Sequence, residues 1–246
     1  MPPVKALIFD VLGTTVDWRS SVVAEFEAMG QKHGVPSGTD WGKLAQQWRA
    51  NFMKNIYHIA LGGSGTLNVD TMHKEMLDEL LLTPEWSHIG PLWDESTRKH
   101  LVHVWHCLKG WPDSVKGLYA LKKQVIVVGL SNGNLSLLID MAKNADLPWD
   151  ALLSTEMFNT FKPNSKVYSE TLRHLSLPPE NCFMVACHMF DLRGAASVGI
   201  PTIYVRRPDE NPGEQENVKS KKEGGEVDYV VDSFVEIVDI IAAHNA

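Results

Sequence analysis

The sequence predicts an α/β protein: a parallel-sheet core into which a helical cap is inserted. Three observations lead there. One short apolar run, Val4–Phe9, opens the chain. A long helical stretch without a convincing strand follows it. Beyond Trp111-Pro112, short apolar runs alternate with helical segments, the pattern of βαβ units covered on both faces.

Val4–Phe9 ends at Asp10, followed by Gly13, Thr14 and Thr15, and so reads as a buried parallel strand with a functional loop at its carboxyl end. From Arg19 to His106 apolar residues recur at helical spacing: Val22, Val23 and Phe26; Leu44, Trp48 and Phe52; Met72, Met76 and Leu80; Leu101, Val104, Trp105 and Leu108. That predicts about four helices. Strands are then expected at Val125–Leu130, Ala151–Ser154, Cys182–Ala186, Thr202–Val205 and Tyr229–Val231. Helices are expected at Leu135–Asn144, Ser165–Leu175, Asp191–Val198 and Phe234–Ala242. Arg206–Glu226, with Val218 as its one aliphatic residue, reads as an exposed, mobile loop. The division expected is a catalytic core of 1–16 and 108–246 with a cap of 17–107.

Bulk properties narrow the partners. The 246 residues carry a net charge of −7, which speaks against nucleic acid or an anionic membrane, since both call for basic patches. No apolar run reaches the roughly 20 residues of a membrane span, and no signal-peptide pattern is visible. Cys107, Cys182 and Cys187 form no CxxC pair, which suits a reducing compartment; a cytoplasmic location is the expectation.

Four expected strand ends carry polar residues: Asp10-Val11-Leu12-Gly13-Thr14-Thr15, Ser131-Asn132-Gly133, Phe161-Lys162-Pro163, and Ala186-Cys187-His188-Met189-Phe190-Asp191. In a parallel sheet these ends converge. Singly, each has a plainer reading: Asp10 and Asp191 as helix caps, Ser131-Asn132-Gly133 as a turn, Lys162 as a solvated lysine. Together they make a nucleophile site. A carboxylate under a cap is desolvated and its pKa rises. A lysine about 4 Å away offsets this by about 4 kcal/mol at an effective dielectric near 20. Lys162 is the candidate for that task, with Thr14 and Ser131 as hydrogen-bond donors, and Asp10 is then able to form an ester that water hydrolyses.

The four segments, in this order and with a helical insertion after the first, resemble the motifs of the haloacid dehalogenase superfamily over nearly the whole chain. The resemblance implies a Rossmann-like core. Phosphotransferases of that superfamily have an acid two residues after the nucleophile and a magnesium-binding aspartate in the fourth motif; Leu12 and Cys187 stand there. These departures agree better with the L-2-haloacid dehalogenases, which displace halide without a metal. By that resemblance no cofactor is expected, and Arg49, after Trp48, is the cap arginine. Asn132 joins it in receiving halide. Ser131 and the Val11 and Leu12 amides hold the substrate carboxylate, Tyr168 supports Lys162 or the substrate, and Asp191 directs water. A small anionic haloacid is the implied partner, and a homodimer is left open, since relatives often pair.

Charge logic runs the same way. A 2-haloacid brings a carboxylate and releases a halide, and Arg49 and Lys162 supply two cations. The fourth motif departs from the family, with Ala186, Cys187 and His188 in place of Ser-x-Asn. His188 is then either a hydrogen-bond partner replacing the asparagine or the base; Cys187 reads as a small strand-end residue. Phe190 has the best claim among Trp18, Phe52 and Phe190 to an apolar wall. His100, His103 and His106 lie three apart, but with no carboxylate or thiolate at matching spacing a solvated or interface face is the expectation. Gly62-Gly63-Ser64-Gly65-Thr66 lacks the lysine of a phosphate loop and reads as a cap turn. The expected function is dehalogenation of short 2-haloacids to 2-hydroxy acids. The rivals are a phosphohydrolase with a non-standard site and a non-catalytic binding protein.

Overall fold

A computed structural model describes residues 2–210, 213 and 215–246. The chain starts with β1 (Ala6–Phe9), every residue of which is buried, and a two-residue strand β2 (Val16–Asp17). Helices α1 (Trp18–Lys32), α2 (Trp41–Ala60), α3 (Val69–Leu81) and α4 (Glu95–His103) follow. Each starts where a short polar side chain accepts an orphan backbone amide: Asp17 from Ser20, Asp40 from Lys43, Asn68 from Thr71, Asp94 from Thr97. Such caps contribute about 1 kcal/mol apiece. Helices α1, α2 and α3 meet Trp93 and Trp105, which flank α4, in an aromatic cluster in which Phe26 stacks on Trp48 and Trp93, and His73 lies between Phe52 and Trp105.

The chain returns through β3 (Lys109–Gly110), antiparallel to β2 with Val16 opposite Gly110. Thus one small ribbon holds both passages between the four helices and the sheet. Next come α5 (Ser114–Leu121), β4 (Ile126–Ser131), α6 (Leu135–Asn144), β5 (Ala151–Ser154), α7 (Ser165–Leu175), β6 (Cys182–Ala186), α8 (Met189–Ala196), β7 (Thr202–Val205), β8 (Tyr229–Val231) and α9 (Phe234–Asn245). The expected elements are present, six of them with the expected ends and the others shifted by at most three residues; Asp191 falls in the first turn of α8 rather than at its start. The sheet is parallel, in the order β5-β4-β1-β6-β7-β8. Order reverses on the two sides of β1, so the crevice at its carboxyl end is where such sheets bind ligands. Asp10 is the next residue. Among the described residues no helix is long and apolar enough to cross a membrane.

Two expectations need correction. The segment 206–226 is not exposed throughout: Arg207, Glu210 and Val218 are buried, while 211, 212 and 214 lie outside the described residues. Arg207 donates to the Thr14 carbonyl at 2.8 Å and to Asp113 at 2.7 Å, bracing the loop that carries Thr14. The histidine row is a solvated face at His100 and His103, which are exposed, but not at His106. His106 is buried between Asp70 of α3 and Asp140 of α6, and His100 pairs with Glu25.

Candidate active site

Asp10 follows β1 and is 7 % exposed. Each of its oxygens is held. Lys162 donates to Oδ1 at 2.9 Å, while the Thr14 hydroxyl donates to Oδ2 at 2.7 Å and His188 Nδ1 lies 3.1 Å from Oδ2. Thr14 has one proton to give, and the carboxylate is a stronger acceptor than the Cys187 sulfur 3.3 Å away. The Cys187 amide donates to the Thr14 oxygen at 3.0 Å, fixing the hydroxyl. Gly13 makes this loop feasible: its φ of +86° is a conformation that glycine tolerates, and an added Cβ would lie 2.9 Å from the Glu210 carboxyl.

Burial pushes the Asp10 carboxyl up, yet Lys162, His188 and Thr14 outweigh it and hold the group well below the usual carboxylate range. Burial likewise opposes the charge on Lys162, but Asp10 and Asp191 raise it above an ordinary lysine. Asp191 shifts the other way. Burial raises it against the pull of Lys162. The pair therefore separates into an ionised Asp10 at the cavity and a more basic Asp191 behind it.

Of the sequence-predicted residues, Asp10, Leu12, Arg49, Ser131, Asn132, Lys162, His188 and Phe190 line one small hollow of about 20 Å³, room for about one water molecule. A neighbouring pocket of about 280 Å³ shares Arg49, His188 and Phe190 and adds Trp18, Tyr57 and Glu210. Asn132 accepts from the Lys162 amide at 2.8 Å and from Thr155 at 3.2 Å, so its carbonyl is committed and its NH2 is the end available to the hollow. Ser131 Oγ accepts from the Gly133 amide at 3.2 Å. Arg49 lies in α2 with its guanidinium 5.7 Å from the Trp18 ring and 5.5 Å from the Phe52 ring. Its Nη1 is buried and has no hydrogen-bond partner among the described residues. Burial lowers its pKa, but arginine stays charged when buried. Below it, burial and the Arg49 charge depress His73, which stays neutral and adds no repulsion.

Several placements differ from expectation. The Val11 side chain is in the hydrophobic core, so only its backbone amide, the group expected to bind, is left for the site. Tyr168 is fully buried and donates to Asp191 Oδ1 at 2.6 Å, so it faces neither substrate nor Lys162. With Lys162 at 2.7 Å on Oδ2, both oxygens of Asp191 are occupied and its surface is closed; it sits behind Lys162 rather than over Asp10. His188 does not fit a resting base. Nδ1 faces Asp10 and Nε2 faces Glu210 at 3.0 Å. Burial opposes its charge, but Cys187, Asp10 and Glu210 push its pKa well above that of an ordinary histidine. Burial also raises the Cys187 thiol, so the two carboxylates are the anions that keep the ring protonated.

Glu210 is the residue the sequence did not reveal. It accepts from the Trp18 indole as well as facing His188, and it is held below the usual range by His188 and Arg49 against burial. Its segment is polar and reads as a loop, and the one hint was Gly13, whose missing side chain makes its room.

Among the described residues, Cys187, His188 and Glu210 form a set that geometrically could hold a metal. It does not fit the magnesium of superfamily phosphotransferases. A thiol, an imidazole and one carboxylate are not the oxygen shell that magnesium takes. The nearby charges are also the cations Arg49, His188 and Lys162.

Comparison with known proteins agrees with this geometry. The profile of the haloacid dehalogenase-like hydrolases matches residues 4–199. The (S)-2-haloacid dehalogenase of Pseudomonas fluorescens is 27% identical over 210 residues, covering 84% of this chain and 86% of that protein. The crystal structure of an L-2-haloacid dehalogenase superposes with a TM-score of 0.83 at 32% identity, covering 98% of this chain and 99% of the other. That of a defluorinating L-2-haloacid dehalogenase gives 0.86 at 33%, covering 97% and 95%. Matched over most of its length, and built around one held aspartate at the reversal point of a parallel sheet, the chain belongs to the haloacid dehalogenase-like hydrolases.

Proposed function

We propose that this hydrolase converts short 2-haloacids to 2-hydroxy acids and halide through an ester on Asp10, with side-chain cations in place of a metal. One observation carries the reading: the buried, unpartnered Nη1 of Arg49 lines the same hollow as the ionised Asp10. A buried guanidinium with an open donor is costly until an anion reaches it. The substrate carboxylate and departing halide are two such anions. Asp10 attacks C2 from behind the carbon–halogen bond. Arg49 and the Asn132 NH2 receive halide, and Ser131 with the Val11 and Leu12 amides holds the carboxylate. Residues 17–107 act as the cap that brings Arg49 over the core of 1–16 and 108–246, swinging on the β2–β3 ribbon. A phosphohydrolase is not favoured, because Leu12 supplies no acid for a leaving alcohol.

The test is halide release from chloro-, bromo- and fluoroacetate and from both 2-chloropropionate enantiomers, with and without chelator. Release that persists in chelator is expected. Magnesium-dependent phosphate release with no halide would overturn the proposal. Arg49→Ala should lower kcat/KM by on the order of 10- to 100-fold, the value of about 1.5–3 kcal/mol for a charged hydrogen bond. Steady-state halide assays at varied haloacid concentration check it. The fold should survive, because Nη1 has no partner to lose.

A further inference from the structure

Resting on that reading, we infer that His188 and the Thr14 hydroxyl form the oxyanion hole for breakdown of the Asp10 ester, and that Glu210 is the positioning residue for His188. The two oxygens of Asp10 are held unequally. Oδ2 faces two donors, Thr14 at 2.7 Å and His188 at 3.1 Å, while Oδ1 faces Lys162 alone at 2.9 Å. A carboxylate oxygen that accepts two hydrogen bonds has both in-plane lone pairs engaged, whereas one that accepts a single bond keeps a lone pair for attack. Oδ1 is therefore the attacking atom, and Oδ2 becomes the acyl oxygen of the ester.

In the second step a water oxygen bonds to Cγ of Asp10, and the π pair of Cγ=Oδ2 moves onto Oδ2. Both donors already point at that atom, which is the requirement for lowering a barrier without reorganisation. Collapse restores Cγ=Oδ2 and breaks Cγ–Oδ1. Lys162, hydrogen-bonded to Oδ1, gives a proton to the departing alkoxide. Of the two water protons, one restores Lys162 and the other goes to solvent as Asp10 ionises again. The product hydroxyl thus carries the former Oδ1, and the water oxygen remains in Asp10.

Glu210 has three contacts that make it a holder rather than a spectator. Its Oε2 lies 3.0 Å from His188 Nε2, it accepts from Trp18 Nε1, and it fills the space above Gly13. A carboxylate there fixes the ring orientation and keeps Nδ1 a donor after Asp10 has lost its own charge to the ester. Without it, alkylation of Asp10 would remove the anion that keeps the ring protonated. The titratable groups around the ring are Asp10, Glu210 and Cys187, with Arg49 beyond Glu210.

The experiment is a rapid-quench single turnover of chloroacetate, reading halide and the intact mass of the protein, with wild type, Glu210→Gln, His188→Gln and His188→Phe. For Glu210→Gln and His188→Phe, the halide burst is expected to slow less than ester breakdown, which should slow by on the order of 10²-fold, so that the esterified protein accumulates. His188→Gln, which keeps a neutral donor, should recover part of the breakdown rate. In Glu210→Gln that rate should also fall above neutral pH as the ring loses its proton. A burst slowed as much as breakdown, with no ester accumulating in any folded variant, overturns the assignment while leaving the dehalogenase reading intact. Absence of halide release by the wild type removes both.

Discussion

Asp10→Asn is expected to lower halide release by at least about 10⁴-fold, the scale on which removal of a covalent nucleophile acts. The amide has no free anionic lone pair for C2, and no protein ester should be seen by mass. The fold should persist, because Thr14 retains an oxygen acceptor and Lys162 retains Asp191 at 2.7 Å. In heavy-oxygen water, a wild-type single turnover should place the label in Asp10 before product. Label appearing directly in the 2-hydroxy acid would remove the ester from the mechanism.

Lys162→Met should have the second largest effect, on stability and chemistry together. Its ammonium is buried between two buried carboxylates, at 2.9 Å from Asp10 and 2.7 Å from Asp191. Removing one partner of such a group costs about 3–5 kcal/mol. Each kcal/mol lowers Tm by about 2–4 °C at this size, so a fall of roughly 6–20 °C is expected by calorimetry. The sign with pH follows from the directions of shift. Asp10 is depressed in the folded state, so its contribution is fully present above the unfolded carboxylate pKa, about 4, and lost as pH falls. Lys162 is raised, so its contribution is present below about 10.4 and lost as pH climbs. The deficit of the variant should be widest between those limits. Without the lysine, only His188 and Thr14 oppose the burial of Asp10, and the acid limb of its pH–rate profile should move to higher pH. A limb that stays in place would mean that Lys162 does not set the ionisation of Asp10.

The alternation after Pro112 marked the parallel sheet because a strand buried on both faces has to be largely apolar, and β6 and β7, and β4 after Ile126, are such strands. Asp10, Ser131, Lys162 and the Cys187–Asp191 segment were legible for a related reason: a charge or hydroxyl ending an apolar run is a local signal. Arg49 was legible through its place in the cap together with the resemblance.

Contacts set by long-range packing were not legible. Tyr168 looked like a site residue, but α7 turns it inward onto Asp191. His106 looked solvated until α3 and α6 brought a carboxylate to each of its nitrogens. Glu210 lies in a segment whose composition says loop, 192 positions after its partner Trp18, and Trp18 and Gly13 decide its burial.

The sequence alone determined the order of strands and helices and the family of the nucleophile, because apolar period and strand-end residues are written locally. Only the tertiary structure decided which ionised groups face one another. Glu210 against His188, two donors on Oδ2, and Asp191 behind Lys162 are products of desolvation and approach across the sheet. Charge strength depends on that burial, and no run of neighbouring residues records it.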